Sequence, residues 1–180
     1  SDRQKRRANF VPNLYAFLGQ EKMSDLRDQI LTRISNGARS SVWTVNDFLD
    51  LGNYDAVRKT LQRLASAGDI RRIDDGLYDK PNLNPLTKKD APPNPRQVID
   101  AVSRRNQIRV LVDGMTAAND LGLTNAVPAK IVVHTDARLR QIKLGNLAIT
   151  FKLTAASKLF WAGRPAMRTV QALHWLRDGL

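Results

Sequence analysis

Apolar residues recur at helical spacing in three stretches of the first half of the chain. Phe10, Leu14, Phe17 and Leu18 form one stripe, closed by Gly19, and predict a short helix with a sticky face for its own domain or a second protomer. Ser24 caps a second helix, in which Leu26, Ile30 and Ile34 line up before the stop signal Asn36-Gly37. The third stretch, Asn53–Ala67, is marked at both ends, by Asn53 as N-cap and Gly68 as the residue that ends the helix. Its helical wheel puts Tyr54, Val57, Leu61, Leu64 and Ala65 on one face. Asp55, Arg58, Lys59, Gln62 and Ser66 take the other, with Arg63 on the flank. That outer face holds cations and amides but no large apolar side chain.

The flanks give this third helix its context. Thr44-Val45-Asn46-Asp47 reads as a capping-box start for a short helix through Asp50, ended by Gly52. Trp43 and Phe48 are the expected packing anchors beside it. Two helices joined by a tight turn containing glycine make a helix-turn-helix pattern. Asp69–Arg72 and Leu77–Lys80 then predict two short strands around the turn Asp74-Asp75-Gly76, a small wing. Helix, turn, helix and wing is the order of a winged helix-turn-helix domain.

Pro81–Pro95 holds five of the eight prolines and little apolar periodicity, which predicts a partly extended linker. Asn94-Pro95 opens a new helix to about Arg105 that buries Val98, Ala101 and Val102, with Arg104 and Arg105 suiting its C-terminal end. Ile108–Val112 and Lys130–Thr135 read as strands, and Thr116–Leu121 as a short helix stopped by Gly122. Arg138–Leu144 and Leu147–Leu153 flank Gly145-Asn146, a two-residue turn of the II′ type, and predict a hairpin with Leu147, Ile149, Phe151 and Leu153 on its buried face. Ala155–Trp161 and Pro165–Arg177 are two further helices, the last ending with its apolar pattern unfinished, so that the natural chain is expected to continue past Leu180. The expected fold class is α+β: a basic arm and extra helix at 1–22, a winged helix-turn-helix domain at 23–80, a proline-rich linker at 81–93, and a small mixed α/β domain at 94–180.

Charge sharpens this picture. The 180 residues carry a net charge of +12, which points to a polyanionic partner. Residues 1–80 contribute +3 and residues 81–180 contribute +9, so the second half is expected to meet an anion too. Ser1–Arg7, with Arg3, Lys5, Arg6 and Arg7, is either a solvated tail or a phosphate-contacting arm. No apolar run approaches the ~20 residues of a membrane span. The chain has no cysteine, which excludes disulfides and thiolate metal sites, and the cytoplasm is the default compartment.

A helix of this kind can lie in the DNA major groove, with Arg58, Lys59 and Gln62 supplying guanine-, phosphate- and adenine-type contacts. Asn53, Tyr54 and Asp55 lie at the end that usually leads, and Arg63 flanks the face. Arg71 and Arg72, at the wing base, are expected on phosphates, and Thr44 at a helix N-terminus could hold another. The bland alternative for each is an ordinary solvated helix face. Arg138, Arg140, Lys143 and Lys152 form a second basic set on the predicted hairpin, either a binding patch or a solvated sheet edge. An enzyme is not expected. The only histidines, His134 and His174, have no partner cluster in sequence, there is no phosphate loop or nucleophile elbow, and Asp113, Asp136 and Lys130 match no catalytic spacing. No cofactor or metal is called for. Few aromatics are available for stacking on single-stranded bases, which argues against RNA.

The motifs VWTVNDFLDLG, AVRKTLQRL, Gly76-Leu77-Tyr78 followed by Pro81, Leu121-Gly122-Leu123, VPAKIVV and AGRPAM together resemble the AbiEi-like antitoxin and transcriptional-regulator family of type IV toxin–antitoxin systems, in particular its short DUF6088-type members. The resemblance runs from about Met23 onward. It implies an N-terminal winged helix that represses its own promoter and a C-terminal antitoxin-type domain that relieves a partner toxin, typically nucleotidyltransferase-like. The family's DNA-reading helix corresponds to Asn53–Ala67, and the acidic wing tip Asp74-Asp75 departs from what deep insertion into a groove would favour. The expectation is a cytoplasmic DNA-binding repressor and antitoxin, monomer or homodimer, with double-stranded DNA and a toxin as partners. The alternatives are a stand-alone regulator whose second domain binds a ligand or dimerises, and an RNA- or protein-binding adaptor.

Overall fold

The computed structural model describes residues 14–38, 40–125 and 129–178. The basic arm and Phe10 lie outside them. Helix α1 (Leu14–Asn36) runs unbroken for 23 residues, so the two helices expected on either side of Gly19 and Ser24 are one element there. Neither residue compels a break: an interior glycine costs only about 1 kcal/mol against alanine, and serine less. Leu26, Ile30 and Ile34 are buried as their spacing requires. The Trp43 ring closes the end of α1; a Cβ on Gly37 would stand 2.5 Å from Trp43 Cζ2.

Strand β1 (Val42–Trp43) leads into a single 3-10 turn, Val45–Phe48, in place of the short helix expected through Asp50. The next backbone bond, Leu51 N–H to Phe48 O at 3.0 Å, keeps the same tight i→i+3 spacing. Helix α2 (Tyr54–Ala67) has the expected ends. Asn53 Oδ1 accepts the Ala56 N–H at 2.9 Å, and Gly68 sits at φ 82°, in the left-handed region that glycine enters without a Cβ penalty. Val57, Leu61 and Leu64 pack on the α1 stripe, Phe48, Ile70 and Tyr78. Tyr54 departs from the wheel: at the first position of the helix it lies beyond the core edge and is 54% exposed. Strands β2 (Arg71–Asp74) and β3 (Leu77–Asp79) form a hairpin, and β1 pairs with β3 to give an antiparallel sheet of order β1-β3-β2.

The proline-rich stretch is less extended than expected. It folds back on itself, with Ala91 N–H on Asn82 O and Asn84 N–H on Lys89 O, both at 2.8 Å. Asn84 Oδ1 holds the turn by accepting from Leu86 N at 2.9 Å, a bond its short polar side chain is suited to make.

Helix α3 (Pro95–Asn106) begins under Asn94, whose Oδ1 accepts from Arg96 N at 3.0 Å. Beyond it come β4 (Val110–Val112), α4 (Gly114–Asp120), β5 (Lys130–Thr135), β6 (Ile142–Leu144), β7 (Leu147–Leu153) and α5 (Pro165–Asp178), with a 3-10 turn at Ala156–Leu159. The second sheet has the order β4-β5-β7-β6; β5 and β7 run parallel and the other pairs antiparallel. Gly145 takes φ 64° between β6 and β7, as the first residue of a II′ turn requires. Asp113, expected in a simple turn, caps α4 by accepting from Thr116 N at 2.7 Å, and its other oxygen accepts from Val132 N at 3.0 Å. Gly114 lets α4 meet α5, since a Cβ there would stand 2.6 Å from Gln171 O.

The fold is thus mixed α+β, with five helices and two sheets among the described residues. One apolar cluster joins its halves. Val98, Ile99, Ala101 and Val102 of α3 pack between the second sheet (Ile131, Val133, Ile149) and two residues of the first sheet, Val42 and Leu77.

Candidate nucleic-acid interface

Capping at both ends fixes the direction of α2, and burial of its inner stripe leaves one face to solvent. Asn53, Tyr54, Asp55, Arg58, Lys59, Gln62, Arg63 and Ser66 are all exposed there. Arg58 meets Asp55 one turn earlier at 3.5 Å, a solvent-exposed pair of the kind worth a few tenths of a kcal/mol, ~0.3–0.5. It can therefore be exchanged for another anion.

Beside this face runs a cleft of about 390 Å³, walled by Tyr54, Arg58 and Gln62 of α2, by Asp75 and Gly76 at the hairpin turn, and by Arg105 from the end of α3. Tyr78 lines its base, and burial pushes its phenol pKa up, so it presents a neutral hydroxyl group. Arg105 was not among the residues expected here. The Arg104-Arg105 pair was legible only as a complement to the helix dipole, and the fold brings it 30 residues back to the hairpin. There Arg105 Nη1 donates to Asp75 O at 2.7 Å. Arg104 Nη2 donates to Val42 O at 3.2 Å and lies 3.6 Å from Asp47.

The acidic hairpin turn is neutralised from both sides. Asp75 pairs with Arg72 at 2.8 Å, and Asp74 pairs with Arg140 of the second half at 2.8 Å. Repulsion of a polyanion by these two carboxylates is correspondingly weakened. The Arg140 pair and the Arg105 hydrogen bond hold the turn against the loop before β6 and the end of α3.

Two residues expected at phosphates have other partners. Arg71 forks onto Asp79, Nε at 2.9 Å and Nη2 at 2.6 Å, and its third donor, Nη1, reaches Ala91 O at 2.9 Å. Asp79 is 4% exposed in its side chain, so the pair is a buried clamp between the hairpin and the folded-back loop. The Asp79 hydrogen bonds also raise the Arg71 pKa above its ordinary value. Thr44 is 1% exposed, and its N–H and hydroxyl both donate to Asp47 Oδ2, at 2.7 and 2.9 Å. A buried group whose donors are already used cannot hold a phosphate. Arg72, half exposed, stays available at the hairpin base.

The second basic set is dispersed. Arg138 and Arg140 precede β6 rather than standing on it, since strand pairing begins at Ile142. Arg140 is turned to Asp74. Lys143 lies opposite Ala148, and Lys152 opposite His134. Cross-strand partners share a face, so Lys143 and Lys152 lie on one side of the sheet, about four residues apart along β7, roughly 13 Å.

His134 has a structural setting. His134 Nδ1 and Thr154 Oγ1 stand 3.0 Å apart in hydrogen-bond contact, and the same hydroxyl lies 3.1 Å from Lys152 O. Burial, and then the Lys152 charge, lower its pKa. Asp136 accepts from Arg109 N at 3.2 Å. Among the described residues no three His, Asp or Glu side chains come together as a metal site, and no described helix is long and apolar enough to cross a membrane.

A family model covers residues 29–179, nearly the whole chain and both of its halves. The chain belongs to DUF6088, a family of unknown function. No curated protein and no solved structure matches it.

Proposed function

We propose that the protein is a DNA-binding transcriptional repressor that reads its own promoter through the outer face of α2. One observation carries the reading: a doubly capped helix presents Arg58, Lys59, Gln62 and Tyr54 to solvent beside a hairpin, with Arg105 and Arg72 at its margins. Fourteen residues make a rod of about 21 Å, and the ~12 Å major groove admits it. Arg58 and Gln62, one turn apart, suit guanine and adenine edges, while Lys59, Arg63 and Arg72 suit phosphates. The resemblance to AbiEi-like regulators supports the wider reading of a winged-helix antitoxin that relieves a nucleotidyltransferase-like toxin, with the second half as the antitoxic element. A second reading, a stand-alone regulator with a ligand-binding second half, is favoured by a cavity of about 540 Å³ beneath α3 and α5.

Titration of labelled promoter duplex against a scrambled duplex, at several salt concentrations, tests the DNA reading. Promoter is expected to bind at least tenfold more tightly, with log K falling linearly in log salt. Equal affinity for both duplexes overturns sequence reading by α2.

A further inference from the structure

The second half contains a cavity unrelated to the α2 face. It opens where α3, the β4–β5 end of the second sheet, α4 and the start of α5 converge, and encloses about 540 Å³. Sites for small organic molecules span roughly 300–1,000 Å³, are mostly apolar, and carry a few convergent polar groups. This cavity has both parts. Ile99, Val112, Ile131, Leu147 and Met167 give it an apolar wall. Three guanidinium-bearing residues, Arg96, Arg164 and Arg168, also line it.

Three guanidinium groups share the lining with two carboxylates, Asp100 and Asp120, which leaves one cation in excess. Arg96 and Arg168 converge on one carboxylate, Asp120, with Arg96 Nη2 at 2.6 Å and Arg168 Nε at 3.9 Å. The shorter, hydrogen-bonded pair belongs to Arg96, which leaves Arg168 at the edge of the interaction. Arg164 has no carboxylate within 4 Å among the described residues; its guanidinium lies over the exposed Trp161 ring at 4.3 Å. An exposed contact of that kind is worth about 0.5–1 kcal/mol and leaves the charge in place. One further polar group in the wall is unpaired. Thr116 is 8% exposed, and its buried hydroxyl has no hydrogen-bond partner among the described residues. Its oxygen presents less than 1 Å² of surface, so the contacts open to a molecule in the cavity are those of the cations and the apolar wall.

We propose that this cavity binds a small amphipathic organic anion, a monocarboxylate with a flat or branched apolar body. Arg168 and Arg164 hold its carboxylate, for which the planar guanidinium fork is the matching donor. The apolar body lies on Ile99, Val112, Ile131, Leu147 and Met167. The site is independent of the DNA-reading proposal, since none of its residues belongs to α2 or the hairpin.

The test uses the full chain and two probes of equal shape, 2-naphthoate and neutral 2-naphthamide, followed by amide chemical shifts in NMR. Naphthoate is expected to give saturable shifts clustered on residues 96–99, 110–116 and 163–171, and to bind about tenfold or more tightly than the amide. Arg168→Gln is expected to erase that preference, and Met167→Trp, which fills the cavity, to weaken both probes, each with an unchanged thermal midpoint. Equal binding of the two probes by the wild-type protein, shifts centred on α2 instead, or no saturable shift at millimolar probe each overturns the proposal, whether or not the variants fold.

Discussion

Replacing Arg71 by alanine separates a clamp from a phosphate contact. The substitution removes three hydrogen bonds, two to Asp79 at 2.9 and 2.6 Å and one to Ala91 O at 2.9 Å. It leaves Asp79, 4% exposed in its side chain, charged and without its guanidinium. Breaking a buried ion pair from one side costs about 3–5 kcal/mol, because the orphaned charge keeps its desolvation penalty. Arg71 itself is 28% exposed in its side chain, so water reaches part of the pair and the lower end, about 3 kcal/mol, is the better expectation. For a chain of this length each kcal/mol moves the thermal midpoint by about 2–4 °C, which gives a fall of roughly 6–12 °C. Urea unfolding followed by tryptophan fluorescence measures the stability, and promoter titration well below the midpoint measures binding. Arg71→Ala is expected to lose stability while keeping the salt slope of DNA binding. The double variant Arg71→Ala, Asp79→Ala is expected to recover part of the loss by removing the orphaned carboxylate. A stability change under about 1 kcal/mol, together with a salt slope flattened by ~0.9, would refute the clamp and return Arg71 to the phosphates.

Three other outcomes follow from the same geometry. Arg58→Ala or Gln62→Ala is expected to cost ~1–3 kcal/mol on the promoter and relax sequence preference, whereas Arg72→Ala weakens all duplexes alike; an unchanged promoter affinity in Arg58→Ala would mean that α2 is not the reading helix. His134, whose pKa is lowered in the fold, favours the neutral form, so its stabilising contribution is complete above the ordinary imidazole value of 6.5 and is lost as pH falls below that value toward the lower folded one. Its NMR titration midpoint should lie below the ordinary imidazole value and rise in Lys152→Gln, and a midpoint at or above that value contradicts the assignment. A fragment ending at Lys80 uncovers Val42 and Leu77, which are 2% and 0% exposed in the whole chain, and each is worth roughly 1.5–3 kcal/mol of burial. It should unfold at lower urea than a fragment ending at Asn106, and equal midpoints would show that α3 contributes nothing to the first half.

Much of the fold was legible where the signal is local. Asn53 and Gly68 bound α2 because caps act within one turn, and the β-branched run Lys130–Thr135 coincides with β5. Leu26, Ile30 and Ile34 identified the α1 face from period alone. The outer face of α2 was legible for the same reason, with Tyr54 the exception because a helix end overhangs its core.

Partners set by long-range packing were not legible. Arg105 reaches the hairpin only because α3 lies across the first sheet. Arg71 and Asp79 stand opposite each other on β2 and β3, an opposite-charge pair that strand alignment would have exposed, but the register shifts between Arg72 and Asp74. Thr44 misled because a helix start suggests an anion site, whereas its donors serve Asp47. Arg138 and Arg140 fall short of β6 because the ladder begins only at Ile142, a boundary set by pairing with β7 rather than by local residue pattern.

The apolar cluster that α3 shares with Val42 and Leu77 bears on how such a protein can be recombined. The proline-rich loop is an obvious seam in the sequence, yet a chimera cut there would place foreign side chains against Val42, Leu77, Asp74 and Asp47 at once. During synthesis the first half also leaves the ribosome before the helix that covers it, so its two apolar residues wait for α3. A transplantable first-half module therefore ends after α3, near Asn106, and its inheritance is tied to whatever residues face α3 from the second sheet.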